Sequence, residues 1–192
     1  MHTDPYALFS DWFAKGEATG LPNPEAIALA TVNAEGKPSV RIVLFKGFSG
    51  GDLSFYTNYE SRKAREMEVN PHVSAAFHWT TLEKQIRVEG TVRKMDRASS
   101  EKYFHSRPRG SQIGAWASRQ STVIAGMDAL EAKVVEVERE FAGREVPLPP
   151  WWGGYLITPQ VFEFWQGKPS RLHERLVFTR GAAGWALSRL SP

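Results

Sequence analysis

This sequence of 192 residues predicts a mainly β protein with helices on its periphery, arranged as a small antiparallel barrel. Three observations lead there. Short apolar stretches separated by turn residues recur along most of the chain. Helical patterns are few and lie between or outside those stretches. The strand–helix alternation of a doubly wound parallel sheet is absent, as are G-x-G-x-x-G and G-x-x-x-x-G-K-[ST] loops. A nucleotide bound here would therefore not be held in a Rossmann or P-loop manner.

Taken in order, residues 4–17 read as a helix, with Asp4 as cap, Pro5 in the first turn and Leu8, Trp12 and Phe13 as an apolar stripe. Gly20, Pro22 and Pro24 break it. Residues 26–32 read as a strand, 33–36 as a turn, and 39–46 as the hairpin partner. After a turn at 47–52, a strand runs over 53–57. A short helix over 61–69 closes at Asn70-Pro71. Strands at 72–79 and 83–94 follow, the second continuing past Gly90. Residues 98–116 read as helix interrupted by Pro108 and Gly110. Met127, Leu130, Val134, Val137 and Phe141 mark an amphipathic helix. Pro147, Pro149 and Pro150 form a stiff connector to Trp151-Trp152, and strands near 154–165, 174–179 and 185–190 end the chain. No internal repeat is present.

The length fits one domain over 1–192, with 1–22 as helix and linker. At 42% hydrophobic and 23% charged residues the composition is that of a globular protein, which excludes wholesale disorder. Without cysteine, disulfides, thiolate metal sites, iron–sulfur clusters and cysteine nucleophiles are excluded, and no metal site is expected. A reducing cytoplasm suits such a chain. No signal peptide and no apolar run of about 20 residues is seen, so no membrane association is expected. A net charge of +3 is too mild for a dedicated nucleic-acid binder. Between Arg93 and Arg119, however, seven Lys/Arg meet two Asp/Glu, a patch suited to a small anion.

Five segments carry residues that could do chemistry. In Tyr56-Thr57-Asn58-Tyr59-Glu60-Ser61-Arg62-Lys63 a strand ends and a helix begins, with Ser61 as N-cap. Two cations face the positive end of the helix dipole, a placement that a bound anion would reverse; equally, both side chains could extend into water. Arg41-Ile42-Val43-Leu44-Phe45-Lys46 reads as a buried strand with a cation at each end, on opposite faces by alternation; solvated strand ends are the plainer reading. Gln85, Arg87 and Glu89 share one face of their strand, and a Gln85 amide suits the donor–acceptor edge of a heterocycle, although polar outer faces are common. Tyr103, Arg107 and Ser111 recur every four residues, and a guanidinium with two hydroxyls suits a phosphate monoester. Arg119-Gln120-Ser121 repeats the theme, while His105 reads as structural. Arg171, His173 and Arg175 would share one face if extended, beside Trp165 as a flat apolar surface. Three adjacent cations call for carboxylates or a bound anion.

Together these segments closely resemble the pyridoxine (pyridoxamine) 5′-phosphate oxidase family. The resemblance runs from about Ala26 to Pro192 and rests on RIVLFK at 41–46, FYTNYESRKA at 55–64, YFHSRPRGSQIGAW at 103–116, RQS at 119–121, PLPPWWGG at 147–154, FWQG at 164–167 and RLHERL at 171–176. It implies an FMN-binding split β-barrel and a homodimer with two FMN sites between subunits, residues from about 147 to 192 serving dimerisation and the active site. It implies that Arg41, Ser61, Arg62 and Lys63 meet the FMN phosphate region, with Ile42, Val43, Leu44, Lys46, Tyr56 and Thr57 lining the site. Gln85 would address the flavin ring, and Gln120, Ser121, Trp165 and Arg175 would complete the pocket. Lys46, Tyr103, Arg107 and Ser111 would take the substrate phosphate, with Arg171 and His173 over the pyridine ring.

The implied reaction is oxidation of pyridoxamine or pyridoxine 5′-phosphate at C4′ to pyridoxal 5′-phosphate, with O2 reduced to hydrogen peroxide and ammonia released from the amine substrate. Two departures stand out. Family members carry a basic N-terminal arm over the active site, which a start at Met1-His2-Thr3-Asp4 leaves missing or truncated, and Glu174 stands where Asp is also common. Rival readings are a related flavoenzyme acting on a phenazine-type ring, or a non-enzymatic flavin or pyridoxal-phosphate carrier. The phosphate set argues against the first, and Arg171 with His173 against the second.

Overall fold

The computed structural model describes residues 4–192; the expectation about an N-terminal arm falls on residues 1–3, outside them. Helix α1 (Pro5–Ala18) starts at Asp4, whose carboxylate accepts the Tyr6 N–H at 3.0 Å. It buries Leu8, Phe9 and Trp12, each contributing about 2–3 kcal/mol of apolar burial. Its Gly16 lies so close to Trp79 that a Cβ there would meet the indole at 2.8 Å.

Strands β1 (Ala26–Val32) and β2 (Pro38–Leu44) form a hairpin. Its turn is tied by Asn33, which accepts the Glu35 and Lys37 N–H groups through Oδ1. The two-residue β3 (Phe48–Ser49) turns into β4 (Asp52–Asn58), and α2 (Arg62–Val69) follows, N-capped by Ser61. Next come β5 (His72–Trp79) and β6 (Lys84–Lys94), then the helices α3 (Arg97–Ser106), α4 (Arg109–Ala117) and α5 (Met127–Glu140). Strands β7 (Trp152–Gln166), β8 (Glu174–Gly181) and β9 (Gly184–Arg189) complete the chain.

All nine strands join one antiparallel sheet in the order β2-β1-β5-β6-β7-β4-β3, with β8 on β7 and β9 on β8. The fifteen-residue β7 binds it together, its first half pairing β4 and its second half β8, with β6 along its other edge. A bulge between Glu89 and Gly90 bends that long pair. Glycine is required there, since a Cβ at Gly90 would lie 2.1 Å from the Thr158 carbonyl oxygen.

The barrel expected from the strand pattern is not closed. Its ends approach where the Lys46 N–H reaches the Ser54 carbonyl (2.8 Å) and the Ser54 N–H reaches Gly47 (2.9 Å). Gly47, at φ 95°, then turns the chain into β3, so β2 and β4 form no ladder. Val40, Ile42 and Leu44, at alternate positions of β2, stand exposed on one face.

The apolar interior has two parts. One fills the curl of the sheet under α1. The other packs Phe104, Ile113, Ala117, Val137, Phe141, Val146, Leu148 and Trp152 between the three later helices and the start of β7, with Tyr56 and Tyr103 at its edge. One expectation needs correction here. Pro108 separates α3 from α4, but Gly110 lies within the first turn of α4 and interrupts nothing. The amphipathic helix expected from Met127 to Phe141 is present as α5, with Val137 and Phe141 buried, Leu130 and Val134 packed partly, and Met127 exposed.

Candidate active site

Between the sheet and the second core lies a cleft of about 440 Å³. Its walls include Ile42, Val43, Leu44 and Lys46 from β2 and the segment after it, Tyr56 and Thr57 from β4, and Lys63 from α2. Tyr103 on α3, Arg107, Ser111 on α4, and Gln120 close it. The fold thus brings together Lys46, Tyr103, Arg107 and Ser111, the quartet expected at a substrate phosphate, and much of the expected cofactor set.

Lys63 is buried at the start of α2. Its Nζ donates to Gln120 Oε1 (2.7 Å), Thr57 Oγ1 (3.1 Å) and Ser61 Oγ (3.4 Å), all neutral oxygens. Burial, assisted by the Arg41 charge and opposed by Glu66, lowers its pKa to about 8. Arg107 sits at the α3–α4 break. Its Nη1 is buried without a hydrogen-bond partner, and burial lowers its pKa, an effect that Tyr103 opposes. An unpartnered buried N–H on a cation costs free energy that an anionic ligand would recover. Lys46, by contrast, reaches Glu25 at 3.4 Å.

Arg41 and Arg62 lie outside the cleft lining and converge on Glu66, a residue the sequence reading passed over. Arg41 Nη2 stands 3.1 Å and Arg62 Nε 2.8 Å from its carboxylate, and Thr31 and Ser39 donate to it as well. Burial would raise the Glu66 pKa, but the hydrogen bonds from Ser39, Thr31 and Arg62 outweigh it and hold the group at about 2. The signal available in the sequence was the Arg62-to-Glu66 spacing of one helical turn. Because the folded pKa is depressed, this carboxylate stabilises the fold above the ordinary carboxylate range and loses that contribution as pH falls towards 2. Glu66→Ala is accordingly expected to cost about 3 kcal/mol in a urea melt at pH 7. The gap to the parent should narrow steadily below pH 5; a gap independent of pH would refute the ionic origin.

The remaining candidates gather elsewhere. Gln85, Trp165 and Arg175 form a row across β6, β7 and β8, paired Gln85 to Trp165 and Trp165 to Arg175. His173 packs on Trp165 with ring centroids 4.7 Å apart, and its Nδ1 accepts the Lys168 N–H at 3.2 Å. His173 and Arg175 line a shallow pocket with Lys168, Leu172 and Arg189. The expectation that Arg171, His173 and Arg175 share a strand face fails, since Arg171 and His173 both precede the strand and only Arg175 lies in it. Pro169–Arg171 form a tight turn in which Ser170 and Arg171 both take left-handed backbone (φ 57° and 59°), and β8 begins only at Glu174. Such strain in consecutive non-glycine residues is typical of functional loops. Arg175 is anchored to Glu163, another residue unmarked in the sequence reading, which also faces Arg87. Ser121 lies beside Gln120 in a neighbouring cavity of about 650 Å³.

An antiparallel sheet that curls without closing, carrying a cleft with two carboxylate-free cations, defines a split-barrel protein equipped for phosphate-bearing ligands. Comparison with known proteins gives the particular family. Residues 15–140 match the family described as pyridoxamine 5′-phosphate oxidase, and residues 152–192 match the pyridoxine 5′-phosphate oxidase C-terminal dimerisation region. The chain belongs to the pyridoxamine 5′-phosphate oxidase family. It is 52% identical to a pyridoxine/pyridoxamine 5′-phosphate oxidase of Burkholderia multivorans (98% of this chain, 89% of that one). It is 50% identical to one of Rubrobacter xylanophilus (98% and 87%). Among solved structures, PhzG of Burkholderia lata 383, in complex with tetrahydrophenazine-1-carboxylic acid, superposes with a TM-score of 0.93 at 29% identity, covering 100% of this chain and 94% of that one.

Proposed function

We propose that the protein oxidises pyridoxamine 5′-phosphate and pyridoxine 5′-phosphate to pyridoxal 5′-phosphate, with FMN as resident cofactor and O2 as the acceptor reduced to hydrogen peroxide. The observation that carries this is the pair Lys63 and Arg107. Lys63 is buried and Arg107 half-buried with its Nη1 enclosed, both line one cleft, and neither is held by a carboxylate, which suits two phosphate-bearing ligands. Relatives at 50–52% identity over nearly the whole chain bear the name of this activity.

The residues present fit FMN. Lys63 with the Ser61-capped start of α2 offers a phosphate site, and Ile42, Val43 and Leu44 an apolar wall. Arg41, Arg62, Tyr56, Thr57, Gln85, Gln120, Ser121, Trp165 and Arg175 would complete the hold. When bound, FMN supplies the two-electron acceptor of the reaction. Lys46, Tyr103, Arg107 and Ser111 grip the substrate phosphate. Arg171 and His173 orient the substrate and favour loss of its proton. With His173 Nδ1 engaged by a backbone N–H, Nε2 is the atom left to meet the substrate.

We further propose that one working site needs two chains. The row Gln85, Trp165 and Arg175, with His173, does not line the cleft of its own chain, which supports a homodimer in which each subunit completes the other's site. The C-terminal match to a dimerisation region supports the same reading. The central place of β7 supports treating 1–192 as one FMN-binding unit whose last part, from about 147, serves the dimer. No helix among the described residues is long and apolar enough to cross a membrane, and a cysteine-free chain suits the cytoplasm we assign it.

The purified protein is expected to be a yellow dimer with about one non-covalent FMN per chain. The deciding assay is oxygen consumption with pyridoxamine and pyridoxine 5′-phosphates and their dephosphorylated forms. A colourless protein that takes up no added FMN overturns the reading. The likeness to PhzG favours a second reading, oxidation of a phenazine-type ring. Turnover of such a ring with none of either 5′-phosphate would select it.

A further inference from the structure

The phosphate grip centres on Arg107, yet no carboxylate stands among the groups that set its charge, and its Nη1 has no partner. Its neighbours are aromatic. The guanidinium lies 4.5 Å from the Trp152 ring centroid and 5.7 Å from that of Phe104. Trp152 is also the end of a parallel stack. Its ring lies 5.6 Å from Tyr56 at 11° and 6.3 Å from Tyr103 at 2°, and the two tyrosines stack at 3.7 Å.

We propose that Trp152 is the positioning residue of the substrate-phosphate grip, fixing Arg107 through its indole face and Tyr103 through the Tyr56 stack. This rests on the functional reading above. A carboxylate in the same place would hold Arg107 equally well, but it would neutralise the charge and occupy the N–H groups needed by the ligand. A π-face attracts the cation while taking none of its donors in a conventional hydrogen bond. The backbone is shaped to seat the indole. Trp152 opens β7 opposite Asn58, and Gly153 and Gly154 follow. A Cβ on Gly153 would meet the Tyr59 hydroxyl at 2.1 Å, and one on Gly154 would meet Tyr56 at 3.0 Å. The two glycines leave room on the faces of the strand for the Tyr59 and Tyr56 rings, so that Tyr56 can lie parallel to the indole next to it. Trp152 also stands with Arg107, Ser111 and Gln120 in the wall shared by the cleft and an adjoining cavity of about 260 Å³.

The test uses the FMN-loaded full chain and the variants Trp152→Leu and Trp152→Phe. It measures FMN affinity, binding of pyridoxal 5′-phosphate by titration, and kcat and KM for pyridoxamine 5′-phosphate and pyridoxamine. Trp152→Leu should weaken pyridoxal 5′-phosphate binding and raise the KM of the phosphorylated substrate about 5- to 30-fold. The kcat and the KM of pyridoxamine should stay near the parent values, and FMN affinity should fall much less than pyridoxal 5′-phosphate affinity, since the Tyr56 in the stack also faces the cofactor. Trp152→Phe, which keeps a weaker π-face, should fall between and decides the matter if the leucine variant does not fold. Equal losses for pyridoxamine and its phosphate, FMN lost in step with pyridoxal 5′-phosphate, or unchanged phosphate binding each overturn the proposal. If the parent protein itself binds no pyridoxal 5′-phosphate, the functional reading falls and takes this inference with it. If the parent binds and the Trp152 variants match it, the inference alone falls.

Discussion

Replacing Arg107 with methionine is expected to raise the KM of pyridoxamine 5′-phosphate roughly 10- to 150-fold, the loss of about 1.5–3 kcal/mol from a charge-assisted phosphate contact. The same change should not lower the stability of the ligand-free protein. Arg107 gives up hydration for two aromatic neighbours and leaves Nη1 unsatisfied, so an apolar side chain of similar length removes a desolvation cost along with the cation–π attraction. The two terms are of similar size, and a urea midpoint at or slightly above the parent's is expected. Binding and folding are therefore set against each other at this position, as at many functional sites. A variant that unfolds early, or loses as much affinity for pyridoxamine as for its phosphate, would show that Arg107 is a structural residue and not a phosphate reader.

What the sequence made legible was local. Strand β1 and strand β5 have the bounds that the apolar runs and flanking turn residues predict, Ser61 and Asp4 cap the helices they were expected to cap, and Pro108 divides the α3–α4 stretch. Tyr103, Arg107 and Ser111 were legible as a group because they recur every four residues, and they meet at one cleft although Arg107 is extended and Pro108 turns the chain between α3 and α4. Features set by distant pairing were not. Glu163 meets Arg87 and Arg175 only once β6, β7 and β8 are in register, and Trp152 meets Arg107 only once β7 lies against α3. Arg171 was misplaced because alternation was carried back from Arg175 through His173 to Arg171, whereas a left-handed turn at Ser170-Arg171 delays the strand to Glu174. Barrel closure was overdrawn for a related reason: strand count says nothing about whether the first and last edges pair.

The correction at Arg171 sharpens the most discriminating pair of substitutions. Arg175 is fixed in place, its Nε bonded to Glu163 (2.7 Å) and its Nη1 to the Ser191 carbonyl (3.1 Å), within the row that carries Gln85 and Trp165. A guanidinium so anchored suits a permanent partner such as FMN. Arg171 is exposed on the strained turn four residues earlier and has no such anchorage, which suits a group that engages a passing substrate. Charge that develops as the substrate loses its proton would be stabilised most strongly in the transition state, so losing Arg171 should act on kcat, whereas losing a cofactor contact should act on FMN affinity. Arg171→Ala is expected to stay yellow and lose about 100-fold in kcat at saturating FMN. Arg175→Ala should instead raise the FMN dissociation constant roughly 10- to 150-fold, with kcat largely recovered when FMN is in excess. Alanine adds no strain to the turn, because arginine already carries the left-handed backbone there. Fluorescence-quenching titration of FMN and steady-state oxidation of pyridoxamine 5′-phosphate measure the two effects separately. A normal kcat with weakened flavin binding in Arg171→Ala would mean that the free arginine holds the cofactor and the anchored one serves the reaction, reversing both assignments.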